Sequence, residues 1–522
     1  MTDKNNIRFN YFIISLFVLA ESLLISPKYQ EFVGDKEVFR YMGMLICEGC
    51  VPYRDAFDHK PPVIYFLAAL GNSLGPWGLW LATTLIVLLS ALLFFRACVK
   101  LQARLPVMYP LVFIVLMRFS PIIQGGELTR EITASIVLSL FSINILQPNR
   151  LILIGVLAAL IFFTQQSELL AALPLFFLPL LWGDPFCNSP DRAWQTVRKR
   201  ALLCLAGAAL VCIPIVSFFL FHNALNDFWQ QAFVFNSTVY VGGTHHLLKG
   251  IWGTARELKF FHLLYPLIIL FCLSLGFSVR KNNKGLVRIV FILTTASIVL
   301  QVFTIALSEK FYGHHFLGVI PYFCMLILVT GLYLQKTAIF RNSRIIPLAL
   351  FFLVCSWQME FPKFLKLKDF STAAKYHQSY PPFYFSELQK ISGQRGQFYV
   401  FRSKDFLALN TDLKIISPTK WIYDHIWDMF PSWDKDGNIF NGLIADLKGA
   451  GTQYILDFSP IFPLSRSSLQ AVWDSFIKSR YDVVTSGIDD KGNTIWNFYT
   501  LKAHLISNHM KARHEPSIKP EA

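Results

Sequence analysis

The sequence predicts a polytopic α-helical membrane protein of about eleven transmembrane helices, followed by a C-terminal soluble α/β domain. Three observations predict it. Of the 522 residues, 54% are apolar and only 16% charged, against about 25% charge in a soluble domain. The mean hydropathy is +0.45. The charges also fall mostly between long apolar runs rather than on one face. An ordinary cytosolic enzyme is excluded. The 48 Lys+Arg exceed the 33 Asp+Glu by 15, an excess that the positive-inside rule explains. No nucleic-acid partner is expected.

A spanning helix needs roughly 20 mostly apolar residues. The runs 10–26, 77–95, 106–123, 131–147, 201–221, 261–279, 286–307, 316–334 and 344–358 meet that need. The stretch 151–182 is too long for one span and carries Gln165-Gln166-Ser167-Glu168 at its middle. It reads as two short helices joined at that polar tip, which brings the count to eleven. The first run follows Lys4 and Arg8 without a small-residue cleavage site, so it reads as a retained anchor. With the N-terminus in the cytoplasm, the basic loops around Arg96/Lys100/Arg104, Arg198/Lys199/Arg200, Arg280/Lys281/Lys284/Arg288 and Lys336/Arg341/Arg344 all stay inside. The C-terminus then lies outside. Most of the nine cysteines lie in apolar runs, and Cys47 and Cys50 form a lone C-x-x-C, a weak zinc signal.

The expected division is a membrane domain over 1–359 and an external domain over 360–522. Two external loops, 27–76 and 222–260, are too large to be mere connectors. The second holds His245-His246, which reads as a polar loop. In the tail, strand-like runs occur at Gln397–Phe401, Lys414–Ile416, Tyr454–Leu456 and Asp482–Thr485, with helical patterns at Ile439–Lys448 and Ser468–Ser479. Trp421, Trp427, Trp433 and Trp473 fit either an ordinary core or a glycan-facing surface.

The first external loop carries the most chemistry. Val38, Tyr41, Met42, Leu45 and Ile46 recur at helical spacing, which predicts an interfacial amphipathic helix over 36–48 with Asp35 at its N-cap. The segment 62–75 is too short to span and is expected to lie along the membrane face. Between them, Tyr53-Arg54-Asp55-Ala56-Phe57-Asp58-His59-Lys60-Pro61-Pro62 gathers both signs of charge beside a bilayer. Arg54 as a fork and Lys60 as a point charge suit phosphate oxygens, and a carboxylate suits removal of a hydroxyl proton. The bland readings are that Asp35 caps its helix, that Asp55 and Asp58 pair with Arg54 and Lys60, and that Glu127, Arg130 and Glu131 pair at a helix start.

The runs D-x-x-x-F-x-Y-x-G from Asp35 and G-x-x-P-Y-R-D-x-F-D-H-K-P-P from Gly49 resemble the GT-C glycosyltransferases. The resemblance is to their bacterial family 39-like branch, akin to the protein O-mannosyltransferases and the lipid A aminoarabinose transferase. It implies an enzyme that moves a sugar from a polyprenyl-phosphate carrier to a lipid, glycan or protein acceptor on the external face of the inner membrane. It further implies Asp35 as the base or acceptor-orienting acid, Lys60 as the group that meets the carrier phosphate, and Glu131 of Thr129-x-Glu131 as a second acid. His59 stands where the aminoarabinose transferase has a metal-binding Glu, so the resemblance allows a divalent ion there. Phe311-Tyr312-Gly313-His314-His315-Phe316 is similar to the family's aromatic-plus-His lead-in to a late span. Tyr312, His314 and His315 are expected to line the phosphate or sugar, together with Tyr53, Asp55 and Asp58.

The expected reaction is an inverting displacement at the anomeric carbon. Lys60, Arg54 and Arg130 would stabilise the leaving phosphate, and Asp35 would take the acceptor's proton. No nucleotide cofactor is expected, since no Walker-type glycine loop is present. The rivals are a polymerase or ligase acting on polyprenyl-linked glycans and, further off, a lipid-linked sugar transporter.

Overall fold

The computed structural model describes residues 4–505 apart from 25, 28–34, 76, 119–127, 179–189, 241–246, 261–262, 280–284, 336–381, 403–406, 423–425, 430–432 and 489–490. The chain forms two compact units, and both are discontinuous. One comprises residues 1–31, 60–221 and 241–374; the other comprises 32–59, 222–240 and 375–522. A single cut near residue 360 was expected. Instead the segments 32–59 and 222–240 fold with the tail.

The first unit is helical. Among the described residues, five helices are long and apolar enough to cross a membrane: Gly78–Lys100, Leu128–Leu146, Val197–Phe221, Leu286–Ser308 and Gly313–Leu334. A sixth results if Leu247–Phe260 and Leu264–Ser278 make up one broken span. The expected eleven are therefore not reached there, and the run 344–358 lies outside the described residues. Leu151–Thr164 and Gln166–Phe176 hold 14 and 11 residues, and at about 1.5 Å per residue neither alone crosses a core of about 30 Å.

The stretch 151–182 does break at its polar tip. Gln165 is extended (φ −157°, ψ 100°) and separates the two short helices, which puts Glu168 in the first turn of the second. Leu128–Leu146 and Ile320–Leu334 are buried along nearly their whole lengths. The helix ending at Phe221, by contrast, presents Leu202, Leu205, Leu210 and Ile213 outward, as suits a lipid-facing helix. It crosses Leu151–Thr164 through Gly207 and Gly155. A Cβ on either would collide with a carbonyl of the facing helix, so small residues set this close approach.

The second unit is built on a four-stranded sheet in the order β1-β2-β4-β3, with β1 at Phe398–Phe401, β2 at Tyr454–Asp457, β3 at Tyr481–Ile488 and β4 at Thr494–Leu501. β1 and β2 are parallel, and the β2–β4 and β3–β4 pairs are antiparallel. The register of β3 slips twice, between Val483 and Thr485 and between Gly487 and Ile488. Three strands agree with the runs read from sequence. Lys414–Ile416 forms only an isolated bridge, Arg395 with Ile416, because no neighbouring strand extends the pairing there. β4 was missed, although its apolar–polar alternation after Lys491-Gly492-Asn493 is a hairpin signal.

Leu388, Phe398, Val400, Leu409, Ile415, Leu456 and Phe498 form the core. Phe401 stacks on Trp473 at 3.7 Å between ring centroids. Asp434 caps the helix Asn438–Ala450, accepting bonds from the amides of Ile439 (3.0 Å) and Phe440 (2.9 Å) and from Trp427 Nε1 (3.1 Å). Trp427 and Trp473 are thus core residues. The helix Asp35–Cys47 is anchored in the same unit. Arg40 pairs with Glu37 and Asp412 at 3.0 Å each, and Tyr41 Oη accepts from the Ser417 amide at 2.8 Å. These bonds are why the first loop folds with the tail.

Asp457, at the end of β2, is buried and accepts bonds from the Ser459 amide (2.7 Å), Ser459 Oγ (2.9 Å) and Trp473 Nε1 (3.0 Å). Burial nevertheless lifts its carboxyl from 3.8 to about 6. Because the folded form holds this proton more tightly than the unfolded chain, stability falls as pH rises from about 4 to about 6 and is level above, a change of about 3 kcal/mol. The indole fluorescence of the full chain should step with a midpoint near pH 6, and that step should be missing from the curve of Asp457→Asn.

Candidate functional site

In the helical unit, the ionisable residues singled out by the sequence meet around the start of the helix Leu128–Leu146. Arg130 and Glu131 lie in its first turns, where the missing intrahelical partners and the dipole suit an acid. Lys60 precedes the Pro61-Pro62 lead-in to the helix Val63–Ser73, and its carbonyl accepts from Tyr65 Oη at 3.1 Å. Lys60, Arg130, Glu131 and His315 are each at least nine-tenths buried. His315 feels the charges of Arg130, His314 and Lys60, so these three lie around it.

His315 sits on the 3₁₀ turn Gly313–Val319. Its Nδ1 lies 2.7 Å from the Lys310 carbonyl. A carbonyl can only accept, so Nδ1 carries a proton and, in the neutral ring, Nε2 is the acceptor. Tyr312 stacks on His314 with centroids 5.6 Å apart, and His314 meets His315 edge-on at 4.7 Å.

Two buried residues belong to this set that sequence reasoning did not assign. Glu168 forms an ion pair with Arg130, Nη1 to Oε1. Gln301 Nε2 donates to the same Glu168 oxygen at 3.0 Å. The signal was available, since an ionisable or amide side chain within an apolar run is functional by default. Among the described residues, the ion pair of Arg130 is with Glu168 and not with Glu131, its neighbour in the bland reading. Glu127 and the rest of Gln124–Gly126 lie outside the described residues, as do His245 and His246.

In the second unit, the loop 50–59 is a set of turns. Tyr53 adopts φ 70°, its ring is buried against Phe228, and its carbonyl accepts from Gln231 Nε2 at 2.6 Å. The role expected for it, touching substrate, is thus replaced by packing. Arg54 donates to both oxygens of Asp55 at 2.8 Å and to the His222 carbonyl at 3.0 Å. Its fork, expected on a phosphate, is engaged in holding the loop, which is the pairing weighed as the bland alternative. Arg54 and Asp55 border an open cavity of about 570 Å³ with Arg395, Lys420 and Asp446. Asp35 is the first residue of the helix Asp35–Cys47 rather than its cap, and it shares the first turn with Glu37.

Asp58 Oδ1 accepts from the His59 amide at 2.7 Å and lies 3.4 Å from His59 Nδ1. The His59 ring stacks on Tyr240 at 5.1 Å and packs by Phe235, and its carbonyl accepts from Asn236 Nδ2 at 2.7 Å. Among the described residues, no three His, Cys, Asp or Glu side chains are grouped to hold a metal ion. The aromatic walls around His59 do not fit a divalent cation, which wants several oxygen or nitrogen ligands. No step is assigned to a metal here.

The family model described as "Putative competence-induced protein Ccs4 N-terminal domain" matches residues 4–346. No curated protein matches the sequence. Among solved structures, ArnT from Cupriavidus metallidurans in the apo state aligns at 12% identity over 94% of this chain and 98% of its own, with a TM-score of 0.54. The Archaeoglobus fulgidus oligosaccharyltransferase, in complex with Zn and sulfate, aligns at 12% identity over 93% of this chain and 72% of its own, with a TM-score of 0.41. The chain shares the fold of ArnT.

Burial pushes the Asp55 carboxyl up, but the Arg54 fork and the Val51 amide at 2.7 Å outweigh it and hold the group below the usual carboxylate range. A depressed carboxylate contributes stability above its unfolded value and loses it as pH falls through the folded one. Asp55→Asn should therefore destabilise the full chain in detergent by about 1 kcal/mol at pH 7, after allowance for partial solvent screening. The gap between the two thermal unfolding curves should narrow as pH falls below the ordinary carboxylate value.

Proposed function

Because this chain belongs to the Ccs4 N-terminal-domain family, the match covering more than half of its length, and has a GT-C glycosyltransferase-like fold, we propose that it is a membrane glycosyltransferase. It takes a sugar from a polyprenyl-phosphate carrier and passes it to a lipid, glycan or protein acceptor at the external face of the inner membrane. One observation carries the reading: Arg130, His314 and Lys60 lie close enough to the buried His315 for their charges to reach it, within an apolar helical unit. Glu168 answers the charge of Arg130, and a cluster of cationic and imidazole groups in such a place suits a further anion. A phosphate whose lipid tail lies among apolar helices is such an anion.

In this reading, the acceptor hydroxyl attacks the anomeric carbon as the bond to the phosphate oxygen breaks, and the phosphate leaves with the electron pair. Lys60 and Arg130 stabilise the charge that develops on it. The neutral His315, with its proton fixed on Nδ1, offers Nε2 to a donor hydroxyl. Asp35 takes the proton released by the acceptor, and Glu131 is the second acid. Inversion follows from the single displacement. The domain over 360–522, like the 27–76 and 222–260 loops, lies on the external side in this proposal, and the N-terminus lies inside.

The test compares lipid extracts by mass spectrometry from host cells making the wild type or Asp35→Asn at equal levels. One polyprenyl monophosphate sugar should accumulate only with the variant, which would also name the sugar. Equal pools with unchanged envelope glycans would remove Asp35 as the base. Lys60→Ala should lower transfer by roughly a hundredfold or more, the scale seen when one preorganised donor to a developing oxyanion is lost.

A further inference from the structure

The Arg130–Glu168 pair is more than a neutralised charge, because of what surrounds it. Glu168 is fully buried at the break between two short helices. It receives Arg130 through Nη1 and Gln301 through Nε2, both on Oε1. On the far side lies Gly318, on the same 3₁₀ turn as His315. A Cβ built on Gly318 would come within 2.5 Å of Glu168 Oε1, 2.6 Å of Oε2 and 2.5 Å of Gln301 Nε2. A Cβ at position 318 therefore enters only if the ends of Glu168 and Gln301 move aside.

Three polar atoms around this carboxylate are buried without a hydrogen-bond partner among the described residues: Arg130 Nε, Gln301 Oε1 and the Tyr322 hydroxyl. Tyr322 feels the charge of Glu168. Each such group costs about 1–3 kcal/mol if left unsatisfied, so the cluster is built to be completed by something polar.

We infer that Glu168 is a positioning residue: it pins Arg130 by Nη1 and so presents the Nε edge of the guanidinium to the phosphate of a polyprenyl monophosphate. The inference rests on the proposed function for the identity of that ligand. An arginine fork binds phosphate best with two parallel donors from one edge, and its value depends on that edge being held still. Gln301 locks the carboxylate from a second helix, and Gly318 keeps the space into which both side chains fit.

A mere counter-charge and a positioning group differ in sign. If Glu168 only balanced Arg130, neutralising it would strengthen the local positive field and tighten phosphate binding. As a positioning group, its neutralisation loosens the fork and weakens binding. Gly318→Ala separates the two further. It keeps every charge and displaces only the flexible ends of Glu168 and Gln301, so the fold has a cheap way to accommodate it.

The experiment measures binding of undecaprenyl monophosphate and of undecaprenol, which lacks the phosphate, to the full chain in nanodiscs. Glu168→Gln and Gly318→Ala should each weaken binding of the monophosphate by about tenfold, the scale of one charge-assisted hydrogen bond. Undecaprenol binding should stay unchanged, which a general loosening of the helices would not allow. Unchanged or tighter monophosphate binding in both variants, or equal losses for both lipids, would overturn the positioning role. If the wild type did not prefer the monophosphate over undecaprenol, the proposed function itself would fail, and this inference with it. Should Glu168→Gln not fold, Gly318→Ala alone decides the matter.

Discussion

An ionised arginine inside an apolar helical unit must have a counter-charge close by, or the cost of desolvating it falls on the whole fold. Arg130 meets that condition through Glu168. The helix Leu128–Leu146 that carries Arg130 is itself buried along nearly its whole length. The carboxylate that pairs with Arg130 is not a neighbour on this helix. It comes from the start of Gln166–Phe176, which exists as a separate helix only because the chain is extended at Gln165. The break, the ion pair, the Gln301 bond and the glycine at 318 are thus successive consequences of placing one guanidinium where water cannot reach.

The second unit solves a different problem, that of an irregular loop with many backbone polar groups to satisfy. Two side-chain amides do much of this. Gln231 and Asn236 lie in consecutive π-helical turns, 230–234 and 236–240, and donate to the carbonyls of Tyr53 and His59. A π turn widens the helix and turns its side chains off the usual 100° step, which suits amides that must reach out to a neighbouring loop. Around them, Phe57, Phe235, Trp421 and Trp433 contact one another, and Lys420 lies 5.1 Å over the Trp421 ring. The tryptophans of the tail therefore divide between two jobs, Trp427 and Trp473 in the core and Trp421 and Trp433 against the first loop.

The fold class was legible because hydropathy acts over long windows, and five long apolar helices fall where the runs predicted them. The helix at 35–47 was legible from its spacing. What the sequence could not show was partnership over long separations. Nothing near Arg40 points to Asp412, and nothing near Arg130 points to Glu168. For the same reason the division into units was misread as one cut, since the bonds that bind residues 32–59 to the tail join positions hundreds of residues apart. Local charge pairing was legible where it was truly local, as with Arg54 and Asp55. Tyr53 was misjudged because an aromatic in a polar loop gives no sign of whether it faces in or out.

The two register slips in β3 have a bearing on the behaviour of the protein in a crowded compartment. Among the described residues, β3 is an outer strand of its sheet, paired only with β4, and it shows Val483, Val484 and Ile488 to its surroundings. A flat strand of that composition would be a template on which another chain could add itself. Bulges twist a strand and interrupt the even spacing of its free amides and carbonyls. By interrupting its own regularity, the outer strand becomes a poor template for the addition of another chain.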